Sequence, residues 1–283
     1  MIKGISYWSF PGGLDGSMSI AKAMETAKKY GYESIELSFD LEGELSLNTT
    51  EAKAKEIAEM ANNIGIKISS LASGMYWGAS MTSDDQSVVQ KSIDATKKYL
   101  EVASNIGVDT ILVIPGAVDI FFDPSSKTVS YCDCYKRASD AIAQLIVPAK
   151  EAKVCMGIEN VWNKFLLSPK EMAMFIDQFN SPFVGSYFDV GNCLLMGYPE
   201  HWITYLGKRI KKVHFKDFRR AVGTGDGFVD LLEGDVNWPE VMKAFKEIGY
   251  DGYVTAEMIP GYTYYPEIRI KNTSCAMDAI LGR

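Results

Sequence analysis

Eight short β-branched or apolar runs recur along this chain, each separated from the next by a segment with helical periodicity. That alternation limits the fold more than any other feature. The runs are IKGISYW (2–8), SIELSF (34–39), KISSLAS (67–73), TILVIPG (110–116), VCMGIEN (154–160), VGSYFDV (184–190), IKKVHFKD (210–217) and YVTAEMI (253–259). Their starts lie roughly 25 to 45 residues apart, room for a strand, a loop and a helix each time. Strict alternation predicts a closed parallel (β/α)₈ barrel, with residues 1–283 as a single domain. An open doubly wound sheet is the competing architecture. It would carry a glycine-rich phosphate turn after a strand, and no G-x-G-x-x-G occurs; GTGDG (223–227) is a loop with no suitable helix behind it.

The intervening segments carry their own start and stop signals. Ser168, Pro169 and Glu171 form a capping box with proline in the first helical position. Asn237 and Glu240 repeat the spacing, and that helix ends at Gly249. TTEAKAKEIAEMANNIG and SVVQKSIDATKKYLEVASNIG place apolar residues at steps of three and four and also stop at glycine. Pro148 falls late in the fourth helix and predicts a kink there.

Composition removes several function classes. The formal net charge of -7 disfavours a nucleic-acid surface, and the densest basic run, KRIKK (208–212), reads as the solvated entry to a strand. The longest apolar run is far short of the ~20 residues of a membrane span, and no signal peptide is implied. The five cysteines form no Cys-x-x-Cys pair and read as reduced thiols of a cytoplasmic protein.

In such a barrel the working groups stand at the C-terminal ends of the strands. Strands five to eight end in Glu159, Asp189, His214 and Glu257. Three carboxylates gathered at one rim repel one another, and a divalent cation removes that penalty. Three oxygen ligands and one imidazole suit Mn²⁺ first, with Mg²⁺, Co²⁺ or Zn²⁺ as alternatives. Four protein ligands on such an ion leave positions for a chelating substrate. A cation flanked by two glutamates suits proton abstraction beside a carbonyl through an enediolate. Glu159 and Glu257 come from non-adjacent strands, so one can remove the proton and the other return it. Two bases on opposite faces give an epimerase; one acting along a single face gives an aldose–ketose isomerase.

These residues also carry a family resemblance. GIENVWNKFLLSP, YFDVGN, KKVHFKD, EGDVNW and GYVTAEM resemble the xylose-isomerase-like barrel superfamily, most closely its sugar and sugar-phosphate isomerases and epimerases, the group of D-tagatose 3-epimerase and the ribulose and hexulose phosphate enzymes. The resemblance covers nearly the whole chain and is strongest over 154–259. It implies that Glu159, Asp189, His214 and Glu257 are the metal ligands, that the two glutamates are the acid–base pair, and that Arg220, six residues after the histidine, contacts substrate. Two positions depart from the ketose 3-epimerases. Asn192 stands where they commonly carry histidine; it still bonds a hydroxyl but carries no charge. Phe165 stands where some carry a further acid. The expected substrate is therefore a small sugar or sugar phosphate, stated no more narrowly. A keto-inositol (inosose) dehydratase and a non-catalytic sugar-binding barrel are the alternatives on the same fold. An abasic-site endonuclease needs a histidine-rich zinc cluster, and the chain has only two histidines.

Further candidates surround this set. Trp8, Trp77, Phe121, Phe122 and Trp162 follow strands and suit a wall against the apolar faces of a sugar. Lys164, Lys216, Arg219 and Arg220 suit a positive rim for a phosphate. Asp217 serves to orient Lys216 or His214, or to bond loop backbone. Glu36 ends strand two and reaches the site or ties the rim, Glu233 and Asp235 are supporting candidates, and His201 reads as structural. A homo-oligomer is compatible with the sequence.

Overall fold

The computed structural model describes residues 1–283. Eight parallel strands close a barrel: β1 (Ile2–Ser6), β2 (Ser34–Ser38), β3 (Lys67–Ala72), β4 (Thr110–Val113), β5 (Cys155–Glu159), β6 (Val184–Asp189), β7 (Ile210–Phe215) and, after two short strands described below, β10 (Tyr253–Ala256). Each strand pairs with its neighbours in sequence, and β10 closes the ring against β1 through Ile2↔Tyr253 to Ile5↔Ala256. Helices cover the outside of the barrel while side chains fill the inside, so strands such as β4, β5 and β6 are buried along their whole length.

The helices are α1 (Ile20–Lys29), α2 (Glu51–Ile64), α3 (Gln86–Ile106), α4 (Tyr131–Ala152), α5 (Pro169–Asp177), α6 (Pro199–Leu206), α7 (Trp238–Glu247) and α8 (Pro266–Leu281). The caps are where the sequence puts them. Ser168 Oγ accepts from Glu171 N at 3.2 Å, and Asn237 Oδ1 from Glu240 N at 3.4 Å. Gly65 and Gly107 end α2 and α3 in the left-handed conformation, at φ 76° and 91°. α4 continues past Pro148 to Ala152.

The strands are shorter than the apolar runs at their C-terminal ends, and the excess builds the mouth. Tyr7 and Trp8 leave β1 in a single 3₁₀ turn. After β7, the chain forms a small antiparallel pair, β8 (Asp217–Phe218) with β9 (Phe228–Val229), which the alternation pattern does not announce. Asp217 pins this excursion. Its carboxylate accepts from Phe218 N at 2.9 Å, Leu232 N at 3.0 Å, Val236 N at 3.2 Å and Trp238 Nε1 at 3.1 Å. Of its two expected roles, the loop-backbone role is the one the structure shows. Gly191 lies against the same segment: a Cβ there would stand 2.8 Å from the backbone of Lys216, so only glycine fits.

Candidate active site at the barrel mouth

Strand register assembles the central cluster. Asp189 and His214 are paired positions on β6 and β7, Glu159 ends β5, and Glu257 follows β10, its backbone N–H donating to Phe215 O. One ligand atom from each of Glu159, Asp189, His214 and Glu257 lies within 4.8 Å of the other three, and all four residues are buried. Oxygen and nitrogen ligands stand about 2.0–2.2 Å from a small divalent ion, so atoms around one ion lie roughly 3–4.4 Å apart. His214 Nδ1 is 3.8 Å from Glu159 Oε1, 4.0 Å from Asp189 Oδ2 and 3.4 Å from Glu257 Oε2.

The hydrogen bonds decide which atoms face inward. Asp189 Oδ1 accepts from Asn192 N at 2.7 Å, which leaves Oδ2 turned to the cluster. Asn160 clamps the same residue from both sides: its Nδ2 donates to Asp189 O, and its Oδ1 accepts from Asp189 N, both at 2.8 Å. His214 Nε2 lies 2.9 Å from Glu36 Oε1. Glu36 also accepts from Ser70 Oγ at 3.1 Å and from the Tyr187 hydroxyl. A carboxylate can only accept, so Nε2 carries a hydrogen, and Nδ1 is the ring nitrogen turned to the cluster. Asp189 Oδ2, His214 Nδ1 and Glu257 Oε2 are all buried and make no well-directed hydrogen bond; the two oxygens meet only the charge of the Lys216 ammonium. Buried polar atoms are rarely left so, and three converging on one point fit a cation. The donor set, carboxylates with one imidazole, suits a divalent metal ion.

Lys216 enters the same charge system. Its ammonium lies 2.6 Å from Glu257 Oε2, 3.3 Å from Asp189 Oδ2 and 3.4 Å from Asn192 Oδ1. The two glutamates consequently differ. Burial, reinforced by the charge of Glu257, raises Glu159 to about 7, although His214 and Lys216 pull the other way. Burial would raise Glu257 too, but Lys216 first and then His214 outweigh it and hold its carboxyl well below the usual range. Burial also raises Asp189. In His214, burial disfavours the charged ring, but Glu36 and Glu257 outweigh it and the net displacement is well upward.

Above the cluster opens a cavity of about 670 Å³, lined by Glu159, Glu257, Lys216 and Asn192 and by Trp8, Trp77, Phe121, Phe122, Trp162 and Phe228, among others. The expected aromatic wall is therefore in place. Trp8 is fixed by donation from Nε1 to Ser38 Oγ at 2.9 Å, and Trp162 by donation to Asn192 O at 2.8 Å. Arg220 is elsewhere. Its guanidinium lies 5.3 Å from the centre of the Tyr198 ring, and its backbone N–H is held by Asp235 Oδ2 at 2.8 Å, so its side chain does not line the cavity. Glu233 and Asp235 pair with Arg219 and with the Arg220 backbone, and neither lines the cavity. His201 is exposed on α6, its ring 5.3 Å from that of Tyr198, and fills no structural position in the core.

Glu36 is the residue that sequence reasoning undervalued. Its signal was present: an acid between Ile35 and Leu37 in a buried strand needs partners, and a histidine in the same barrel is an obvious one. Asp40, Asp226 and, from β9, Phe228 also line the cavity, in segments whose course the strand alternation does not encode.

A family model described as "Xylose isomerase-like TIM barrel" matches residues 24–272. The chain belongs to that family. A Haemophilus influenzae relative, SgbU, named provisionally as an L-ribulose-5-phosphate 3-epimerase, is 25% identical over 241 residues, 83% of this chain and 82% of the relative. Among solved structures, a D-psicose 3-epimerase crystallised in the presence of D-fructose matches with a TM-score of 0.79 at 17% identity over 100% of both chains. An L-ribulose 3-epimerase matches with a TM-score of 0.78 at 15% identity, over 99% of this chain and 94% of that one. At these identities the structural matches establish the fold. The named relatives are epimerases, enzymes of the isomerase class.

Proposed function

We propose that the protein is a divalent-metal-dependent isomerase or epimerase that moves a proton on the carbon beside the carbonyl of a ketose or ketose phosphate. The observation that carries this reading is the convergence of four buried ligand residues, Asp189 and His214 with Glu159 and Glu257 from two non-adjacent strands. The names of its relatives, ketose and ketose-phosphate 3-epimerases, support the same reaction class.

In this reading Glu159, Asp189, His214 and Glu257 hold the ion, with Mn²⁺ the best match to three carboxylates and one imidazole. The bound ion supplies electrostatic stabilisation to the negative charge that develops on a ketose oxygen as the adjacent C–H bond breaks. The chain supplies the proton transfer. Glu159 and Glu257, reaching the cluster from non-adjacent strands, form the acid–base pair of this reading. The proton leaves carbon for one glutamate and returns to carbon from the other, so no redox partner enters the balance. In the same reading Asn192 and Lys216, which line the cavity, bond substrate hydroxyl or carbonyl oxygens, and Trp8, Trp77 and Trp162 cover the sugar and exclude water. Five free thiols support a reducing, cytoplasmic setting.

The two glutamates test the reading. Glu159→Gln and Glu257→Gln should each lower kcat by at least ~10²-fold, the scale of lost acid–base catalysis. Near-parental kcat in both variants would refute it.

A further inference from the structure

The geometry points to an uncharged keto sugar, carrying an aromatic or similarly apolar substituent away from its reacting carbonyl, as the substrate; a sugar phosphate is the class it excludes. The inference rests on the proposed reaction for its carbonyl end and on a separate set of residues for the other end.

Charge decides against the phosphate. The cavity's charged lining is Asp40, Glu159, Asp226 and Glu257 against a single cation, Lys216. The charge of Lys216 is balanced by Glu257 and Asp189, so it adds no net positive charge to the cavity. No other basic residue near the mouth lines this cavity. Lys164 pairs with Asp119 at 2.5 Å. Arg219 Nε donates to Glu233 O at 2.9 Å, Arg220 lies over Tyr198, and Arg269 pairs with Asp230 at 2.6 Å. Even with a divalent ion on the cluster, four lining carboxylates outnumber what faces them. A phosphate is bound by converging donors with positive charge, and Asp40 and Asp226 would repel one.

The wall decides for an apolar substituent. Phe122 meets Trp77 and Phe121 edge-on, at 5.2 Å in each case. Phe121 meets Trp162 at 5.5 Å, and Trp162 meets Phe228 at 5.1 Å. These rings form one connected surface on the reacting cavity, yet Phe121 and Phe122 remain 46% and 55% exposed. Aromatic faces left open inside a cavity are completed by an apolar ligand. The volume agrees: about 670 Å³ falls in the ~300–1,000 Å³ range of sites that enclose drug-sized ligands, more than one sugar ring fills. A second, largely apolar cavity of about 240 Å³ shares Phe121, Val161, Trp162 and Asn192 with the first and extends the same surface; its one basic lining residue is Lys164, which pairs with Asp119.

Three matched probes test this: L-ribulose, 5-O-benzyl-L-ribulose and L-ribulose 5-phosphate, offered to the Mn²⁺-loaded full chain. Dissociation constants are read from tryptophan fluorescence, and turnover from deuterium exchange into the probe. The expected order is benzyl ether tightest, by about tenfold over the free sugar, the scale of one added aromatic contact, with the phosphate weakest. Phe122→Ala should shrink the benzyl advantage toward parity. A phosphate that binds as well as the benzyl ether, three equal constants, or a benzyl advantage untouched in Phe122→Ala would overturn the inference. Exchange is a separate readout. The expected binding order without exchange sustains this inference while counting against the proposed reaction, and exchange with the phosphate preferred does the reverse.

Discussion

Glutamine in place of Glu36 tests how the histidine is held. In the parent protein Glu36 is fully buried and accepts from His214 Nε2, Ser70 Oγ and the Tyr187 hydroxyl. Glutamine keeps the volume but removes the negative charge and one acceptor, and it adds two donors where three donors already point. If its carbonyl stays on Nε2, Ser70 and Tyr187 must turn to accept. If the amide turns instead, the ring loses the acceptor that keeps hydrogen on Nε2 and the lone pair on Nδ1. In both cases the imidazole becomes a poorer ligand. Loss of such a supporting carboxylate typically costs ~10–100-fold in metal affinity, or ~1.4–2.8 kcal/mol. Calorimetric titration with Mn²⁺ reads the affinity, and melting curves with and without the ion read the stabilisation that binding confers. We expect the variant to fold, to bind Mn²⁺ 10–100-fold more weakly, and to gain less on melting. Unchanged affinity in a folded variant would refute the argument that Glu36 sets the ligating nitrogen.

Two further outcomes follow from the same geometry. In the metal-free protein, Glu36 and Glu257 displace His214 well upward and burial raises Glu159, so an entering cation must expel protons from groups protonated near neutrality. Affinity for Mn²⁺ should therefore rise with pH across the neutral range, with proton release seen as a dependence of the calorimetric heat on buffer ionisation enthalpy; a heat independent of buffer would contradict this. Asp217→Ala removes the acceptor for three backbone N–H groups and the Trp238 indole, at ~1–3 kcal/mol for each group left unpaired. Allowing for water reaching some of them, we expect a loss on the order of 3 kcal/mol by chemical denaturation, and a change under 1 kcal/mol would show that the loop is held by something else.

The barrel was readable because its signals are local. β-Branched runs, Ser168 and Asn237 as caps, and glycine at the helix ends each act within a few residues, and eight repetitions leave one architecture. The cluster was readable for a related reason: in a closed parallel barrel the last polar residue of each strand faces the same mouth, so Glu159, Asp189, His214 and Glu257 converge once the strands are placed. What sequence position did not convey depends on long-range contacts. Glu36 and His214 meet across 178 residues, and nothing local to SIELSF specifies that pairing. Arg220 has the spacing of a substrate contact, but its side chain lies over Tyr198, at the start of α6, and its backbone is held by Asp235, beyond β9. The same excursion brings Asp226 and Phe228 over the mouth, and with them the charge and apolar character that distinguish one sugar derivative from another.

The central claim is a proton moved on carbon by two glutamates at a metal cluster, and solvent deuterium reads that event itself. Ketoses incubated with the Mn²⁺-loaded protein in D₂O and followed by NMR should acquire deuterium on the carbon beside the carbonyl. The label should disappear after chelation and in Glu159→Gln and Glu257→Gln. Incorporation that persists in both variants, or no incorporation in any ketose by a protein with Mn²⁺ bound at Glu159, Asp189, His214 and Glu257, would contradict the account.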